Sequence, residues 1–356
     1  MSRTGTMTAT TLIPETEIAA PRAGERDRKR EHIELALDRR MQLDGRFFDR
    51  FAFVHEALPE IDMADVDTSV SFLGKRLSAP LLVSCMTGGT GGAGPVNRHL
   101  AAGAERAGVA VGVGSQRKAI EDPATAATFE MRDVAPTVPL LANLGAVQLN
   151  YGFGLDECRR AVEMIDADAL ALHLNPLQEA IQPEGQCNFA DLLPRIAAIV
   201  DGLEVPVVVK EIGCGISGAT GRKLFDAGVR VIDTAGLGGT SWARIEAARA
   251  ADVEIGEIFA GWGVPTPDSI RQLAAIEGLT VIGSGGVRTG VDVAKAIAMG
   301  AELVGLAQPF LAPALESAEA VHERIQRAVQ ELRITMFCVG ARTLADLRRV
   351  ALVERY

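Results

Sequence analysis

From Pro80 onward the chain repeats one unit eight times: a short β-branched or Leu-rich apolar run ending in Gly, Asn, Ser or Thr, then a longer Ala-rich stretch. Continuous apolar runs of this length suit parallel strands buried on both faces. They start at Pro80 (PLLVSCMT), Val109 (VAVGVG), Pro139 (PLLANLG), Ala169 (ALALHLNP), Pro206 (PVVVKEIG), Val229 (VRVIDTAG), Leu279 (LTVIGSGG) and Leu303 (LVGLAQP). Amphipathic helices are predicted between them, over Asn97 to Ala107, Leu155 to Ile165, Thr220 to Ala227 and Val291 to Met299. Eight such units predict an α/β fold, a (β/α)8 TIM barrel over residues 80–356. A doubly wound open sheet is the competing topology, because strand order and closure are not written in periodicity.

Residues 25–79 precede the barrel as an N-terminal helical extension or cap, with a helix from Arg28 to Met41 carried by Ile33, Ala36, Leu37 and Met41. The first 24 residues, rich in Thr, Ala and Pro without an apolar run, are expected to be a disordered extension, neither a secretory signal nor a membrane span. The unit after the sixth run is longer than its siblings. Gly236 to Gly278 contains GGTSWARIE and EIFAGWGVPT before a helix near Pro267, and such βα insertions are where lids arise. Ala314 to Leu332 is predicted as the closing helix, with a last helical segment after it.

In a barrel, ligands meet the C-terminal ends of the strands, so the polarity of the run ends carries information. These ends hold Cys85, Met86 and Thr87; Ser115, Gln116 and Arg117; Asn143; His173, Asn175, Gln178 and Glu179; Lys210; and Asp233 followed by Thr240. Wet strand ends are the bland explanation for any one of them, but not for six runs in succession. The seventh run ends in Gly285 and Gly286 and the eighth in Ala307 and Gln308, the two loops with which barrels often hold phosphate. The 37 glycines of the chain, many in doublets, fit backbone that closes on a ligand.

Lys210 is placed to neutralise an anionic ring, to form a Schiff base, or merely to face solvent. Glu179 suits either a structural carboxylate or a Mg²⁺ ligand, since one carboxylate plus substrate phosphate oxygens is a usual Mg²⁺ arrangement. Thirty-six basic against 46 acidic residues leave a net charge of -10, which argues against nucleic-acid binding. A polyanion would then need local cations, and Arg28, Lys29 and Arg117 are candidates. Cys85, Cys158, Cys187, Cys214 and Cys338 form no CxxC pair, which favours a reducing cytoplasm over a disulfide framework or zinc ribbon.

Nine motifs, RKREHI, CMTGG, GVGSQR, NLG, HLNPLQEAIQPEG, VKEIG, GLGGTSW, FAGWGVPT and SGGVRTG, occur in an order that resembles the type 2 (FMN-dependent) isopentenyl-diphosphate delta-isomerases from about Arg28 onward. The resemblance implies an enzyme of isoprenoid synthesis that interconverts isopentenyl and dimethylallyl diphosphate without net redox change, with reduced FMN as the acid/base group and NADPH as a reductant. It implies FMN contacts at Cys85, Met86, Thr87, Ser115, Asn143, Lys210 and Thr240, and a phosphate site at Gly285, Gly286, Ala307 and Gln308. Implied substrate contacts are Arg28, Lys29, Ser115, Gln116, Arg117, His173, Asn175 and Gln178, with Glu179 holding Mg²⁺. Gln178, His173 and Lys210 are the expected catalytic residues. Implied too are a homo-oligomer, a tetramer or octamer, and no nucleic-acid or membrane partner. Ala235 stands where relatives often carry Ser, and Gln186 where they commonly carry Asp.

Three rivals remain open on the residues alone. They are another flavin barrel oxidising 2-hydroxy acids or a nucleotide, a class I aldolase using Lys210, and a non-catalytic phosphate-sensing barrel. The unit after the sixth run, Gly236 to Gly278, holds no Cys to serve the nucleophilic loop of the first.

Overall fold

The computed structural model of the protein describes residues 28–43, 47–89 and 92–355, without the side chains of Arg28 and Arg30. The extension expected over residues 1–24 lies outside the described residues. Helix α1 (Arg28–Leu37) leads through a 3-10 turn at Arg39–Met41 to β1 (Phe51–Phe53) and a hairpin of β2 (Val70–Phe72) and β3 (Lys75–Leu77). The eight apolar runs form β4 (Leu81–Val83), β5 (Ala110–Gly112), β6 (Leu140–Gly145), β7 (Ala169–His173), β8 (Val207–Lys210), β9 (Val231–Asp233), β10 (Thr280–Ser284) and β11 (Leu303–Leu306). Neighbours pair in parallel and β11 pairs back onto β4, so the sheet is a closed barrel and the open-sheet alternative falls.

Helices α2 (Ala93–Ala107), α3 (Arg117–Glu121), α4 (Leu155–Ile165), α5 (Pro176–Ile181), α6 (Leu192–Gly202) and α7 (Gly218–Asp226) follow the first five barrel strands. The long sixth unit folds as α8 (Trp242–Ala250), α9 (Val253–Phe259) and α10 (Thr266–Ala274). Then come α11 (Gly290–Ala298), α12 (Gln308–Glu316), α13 (Ala318–Cys338), α14 (Leu344–Leu347) and β12 (Leu352–Glu354), which pairs antiparallel with β1. Among the described residues no helix is long and apolar enough to cross a membrane.

Two predicted helices are divided, both by a capping side chain. The helix expected to reach Met41 stops at Leu37, because the Asp38 carboxylate accepts the Arg40 N–H at 2.9 Å and starts a new turn. The closing helix is two: Ser317 ends α12, and its hydroxyl accepts the Ala320 N–H at 3.1 Å to begin α13.

One interior layer of the barrel takes a residue from every strand: Leu82, Ala110, Leu141, Ala169, Val208, Val231, Ile282 and Leu303. Phe72 and Leu77 of the β2–β3 hairpin pack onto this layer and close the barrel on the side away from the strand ends. No periodicity in residues 51–77 announces this plug, since its strands are three residues long. Leu77→Ala is expected to cost about 2–5 kcal/mol, the usual penalty for a buried Leu whose cavity cannot collapse. A lower urea midpoint at an unchanged m-value would show it.

Candidate active site

Side chains alternate along a strand, so residues two places beyond the apolar layer also point inward, one level nearer the mouth. From Leu82, Leu141, Val208, Val231 and Ile282 that rule leads to Ser84, Asn143, Lys210, Asp233 and Ser284. On the longer β7 it leads through Ala171 to His173. All five of the former are buried, so the strands end in a layer of polar and charged groups resting on an apolar floor.

Register brings the most reactive of these side by side: Gly145 pairs with His173, His173 with Lys210, and Lys210 with Asp233. Lys210 Nζ donates to the Glu211 carbonyl at 2.6 Å. The Glu211 carboxylate folds back to accept the N–H groups of Ile212, Gly213 and Cys214 at 2.5–2.7 Å, which shapes the loop after β8. Burial pushes the carboxyls of Asp233 and Glu211 up, against the pull of Lys210. Burial pushes the Cys85 thiol up as well, so it stays protonated despite nearby Lys210.

His173 is held in one tautomer. Asn143 donates through Nδ2 to the Val113 carbonyl at 3.1 Å, so its Oδ1, 2.8 Å from His173 Nδ1, must accept, and Nδ1 carries the hydrogen. Nε2 is left with its lone pair. Burial, then the charges of Lys210 and Lys29, lower the imidazole pKa to about 3, so the ring is neutral at physiological pH.

At the other rim, Gly285 (φ 106°) and Gly286 (φ 70°) lead into α11, whose N-terminus is capped by Thr289 and Asp292. A Cβ on Gly286 would collide with the Gly238 backbone, so bare peptide lines this part of the cleft. Residue 42, which the sequence did not single out, closes over it. Gln42 Oε1 accepts from Thr240 Oγ1 at 3.1 Å and Arg288 Nη2 at 2.7 Å, while Leu43 N–H and Ser241 N–H exchange bonds with Gly239 and Met41. Ala307 and Gln308 flank the same space at the start of α12.

The remaining wall carries the other polar groups. Lys29 Nζ donates to the Ser115 carbonyl at 3.0 Å. Arg117 is steered by Glu121 at 2.8 Å and by Gln186 Oε1 at 3.0 Å, the latter also accepting from Gln148 at 2.9 Å. Glu179 accepts N–H bonds from Asn175 (2.8 Å), Gln182 (2.6 Å) and the Gln186 backbone (2.7 Å). Gln178 is pinned at both ends of its amide: Oε1 accepts from Asn175 at 3.1 Å and Nε2 donates to Glu246 at 2.7 Å.

Glu246, fully buried on α8, is not singled out by the sequence, since a charged residue on a short helix carries no local signal of burial. Burial pushes its carboxyl up, but hydrogen bonds from His32, then Gln178 and Arg249, outweigh this and hold it below the usual carboxylate range. Trp242, also on α8, lines the cleft with His32 edge-on to it at 5.1 Å.

One cleft thus collects Lys29, Cys85, Met86, Thr87, Ser115, Arg117, Asn143, His173, Asn175, Gln178, Glu179, Lys210, Thr240, Gly285, Gly286, Ala307 and Gln308. Two expected residues stand apart. The side chain of Arg28 lies outside the described residues. Gln116 points away from the cleft: fully buried, it donates to the Ala161 carbonyl at 2.8 Å and accepts the Asn143 N–H at 2.9 Å, tying β6 to α4. Sequence spacing alone does not reveal that turn of the chain between Ser115 and Arg117.

Ser84 Oγ, Thr87 Oγ1 and Asn175 Oδ1 are buried in this cleft without a protein partner. Buried polar atoms normally find one, so their orphaning fits a polar ligand over the strand ends. Among the described residues no three His, Cys, Asp or Glu side chains group as a metal site. Glu179 Oε1, with one bond taken, and the orphaned Asn175 oxygen fit a cation held chiefly by its ligand's own oxygens.

The profile of the FMN-dependent dehydrogenase family matches residues 169–354. An isopentenyl-diphosphate delta-isomerase of a Nostoc species is 48% identical over 339 residues, covering 94% of this chain and 97% of its own. That of Paracoccus zeaxanthinifaciens is 52% identical over 331 residues, 90% and 95% of the two chains. Among solved structures, a lactate oxidase of Pediococcus acidilactici superposes with a TM-score of 0.67 at 19% identity, covering 92% of each chain. A mandelate oxidase variant gives a TM-score of 0.64 at 20% identity over 92% of this chain and 99% of its own. At that identity the oxidases speak for the fold alone, whereas the isomerases match half of all residues over nearly the full length. The chain therefore belongs to the isopentenyl-diphosphate delta-isomerase family, in its FMN-dependent branch.

Proposed function

We propose that this chain interconverts isopentenyl diphosphate and dimethylallyl diphosphate, that residues at the strand ends would hold FMN, and that Glu179 would hold Mg²⁺ for the substrate diphosphate. The observation that carries this reading is a single cleft lined by buried Lys210, the backbone of Gly285 and Gly286, the carboxylate of Glu179 and the cationic side chains of Lys29 and Arg117. FMN would rest on Cys85, Met86, Thr87, Ser115, Asn143, Lys210 and Thr240, with its phosphate at Gly285, Gly286, Ala307 and Gln308. The diphosphate would meet Arg28, Lys29 and Arg117, and the alkene would lie near His173, Asn175 and Gln178.

The reaction adds a proton to the terminal methylene carbon and removes one from C2, so atoms and electrons balance without an oxidant. Reduced FMN supplies acid/base chemistry when bound, and NADPH or another reductant serves only to reach that state. Lys210 contributes a fixed positive charge in a water-poor site, where it stabilises developing negative charge more strongly than in water. Neutral His173 offers Nε2 as an acceptor, and its fixed Nδ1–H keeps the ring from turning. Gln178, pinned by Asn175 and Glu246, presents its remaining amide hydrogen in one direction. Trp242 and Ile33 line the cleft with apolar surface that excludes water from the alkene.

The five free cysteines support a reducing, cytoplasmic setting. Exposed Val253, Ile258 and Trp262 support self-association into a tetramer or octamer. The expected result is a yellow protein that isomerises isopentenyl diphosphate anaerobically with FMN, Mg²⁺ and a reductant. Saturated with flavin and substrate yet without turnover, it would refute the reading.

A further inference from the structure

Arg249 spends each of its three guanidinium nitrogens on a carboxylate from a different element. Nε meets Glu31 of α1 at 3.2 Å, Nη1 meets Glu246 of its own helix α8 at 2.5 Å, and Nη2 meets Glu184 of the loop after α5 at 2.9 Å. The side chain is only 11% exposed and Glu246 is fully buried, so that bond is shielded from the screening that makes most surface pairs weak, while Glu31 and Glu184 are 28% and 45% exposed. The elements it joins flank the proposed substrate half of the cleft: α1 carries Lys29 and His32, α8 carries Trp242, and the loop with Glu184 follows α5, which carries Gln178 and Glu179.

Among the described residues, helix α1 packs against α12 and α8, and its polar side chains tie it to both halves of the cleft. Its C-terminal end is fastened toward the flavin side, where Gln42 Nε2 donates to the Ala36 carbonyl at 3.1 Å and Arg244 reaches the carbonyls of Arg40 and Gln42 at 3.2 and 3.3 Å. Nearer its start it is held by Lys29 on Ser115, by His32 on Glu246 at 3.0 Å, and by Glu31 on Arg249. We infer that Arg249 is the latch of the substrate half-site: a positioning residue that holds α1, and with it Lys29, over the cleft, without touching substrate or cofactor.

Electrostatics makes this latch specific for an anionic ligand. With Arg249 present, three carboxylates share one guanidinium. Without it, Glu31, Glu184 and Glu246 lose the cation they share beside a site that must receive a diphosphate, and the tie from α1 to α8 is weakened. Gln42 and Arg244, which fasten the flavin side, bond to partners other than the three carboxylates of the latch. Substrate and cofactor binding are therefore expected to separate on mutation. Lysine is no substitute, because a single ammonium cannot reproduce a planar fork that reaches three acceptors in three directions.

This inference rests on the isomerase reading for the identity of the substrate, but its test does not need turnover. Inorganic pyrophosphate with Mg²⁺ is titrated into FMN-loaded protein, and FMN affinity is measured separately. Arg249→Gln is expected to weaken pyrophosphate binding by about tenfold or more and to leave FMN affinity within about twofold. Arg249→Lys should fall between, and limited proteolysis should cut the Arg249→Gln chain faster within residues 28–37. If Arg249→Gln does not fold, Glu31→Gln carries the test, since it breaks only the bond to α1; a threefold weaker pyrophosphate affinity with unchanged FMN affinity is expected. Unchanged pyrophosphate binding in a folded variant, or equal loss of FMN and pyrophosphate, overturns the latch. Absent turnover in the wild type would instead defeat the isomerase reading and leave this result standing.

Discussion

Lys210→Met is expected to lower isomerase turnover by roughly 10²–10³-fold, the range seen when one preorganised electrostatic group is removed from a water-poor site. Methionine keeps the length of the side chain and removes only the charge and the N–H donors. Asp233 and Glu211 then lose their cation, but burial already pushes both carboxyls toward the protonated form, so they can neutralise themselves by binding protons. The fold should survive for that reason, and oxidised FMN should still bind through the Gly285 and Gly286 loop. Bound flavin would become harder to reduce, because the positive charge that favours its anionic reduced form is gone. Anaerobic photoreduction of wild type and variant side by side measures this. A variant with full turnover and an unchanged flavin potential would remove Lys210 from the mechanism.

Glu179→Gln should weaken Mg²⁺-dependent diphosphate binding by about 10–100-fold, the scale typical of a lost metal-site group. The substitution is nearly isosteric yet chemically severe. Glu179 accepts three N–H bonds, from Asn175, Gln182 and the Gln186 backbone. A glutamine amide turns one of its two oxygens into a donor, and that donor faces another donor whichever way the amide is turned. FMN affinity should change little, since the residues proposed to hold the flavin lie on other strand ends. Calorimetry of pyrophosphate binding with and without Mg²⁺ separates the two. Equal losses of flavin and pyrophosphate affinity would assign Glu179 a structural role in the loop instead.

The sites of these two predictions were legible in the sequence for different reasons. Lys210 ends the run PVVV, and a charge after an apolar strand stands out in one dimension. Glu179 stood out through its polar neighbours in HLNPLQEAIQPEG. Glu246 and Arg249 gave no such signal. They sit in WARIEAARA, where charged residues on a short helix look like a solvated face, and only packing of α8 against α5 and α1 buries them. Gln116 shows the reverse: flanked by Ser115 and Arg117, both at the cleft, its side chain turns inward to serve the backbone of β6. Gln42 was invisible, because its partners Thr240 and Arg288 lie some two hundred residues along the chain.

What the sequence by itself determined was the set of eight strands, their polar ends and the glycine-lined loop after the seventh of them. Strands buried on both faces must be continuously apolar, and backbone that meets a ligand must shed its side chains, so both facts are local and survive in one dimension. The tertiary structure alone decided that the sheet closes, that a hairpin plugs its floor, and that one arginine gathers three carboxylates from α1, α8 and the loop after α5. Each of those depends on groups distant along the chain meeting in space, where burial converts an ordinary surface charge into one that must be paired.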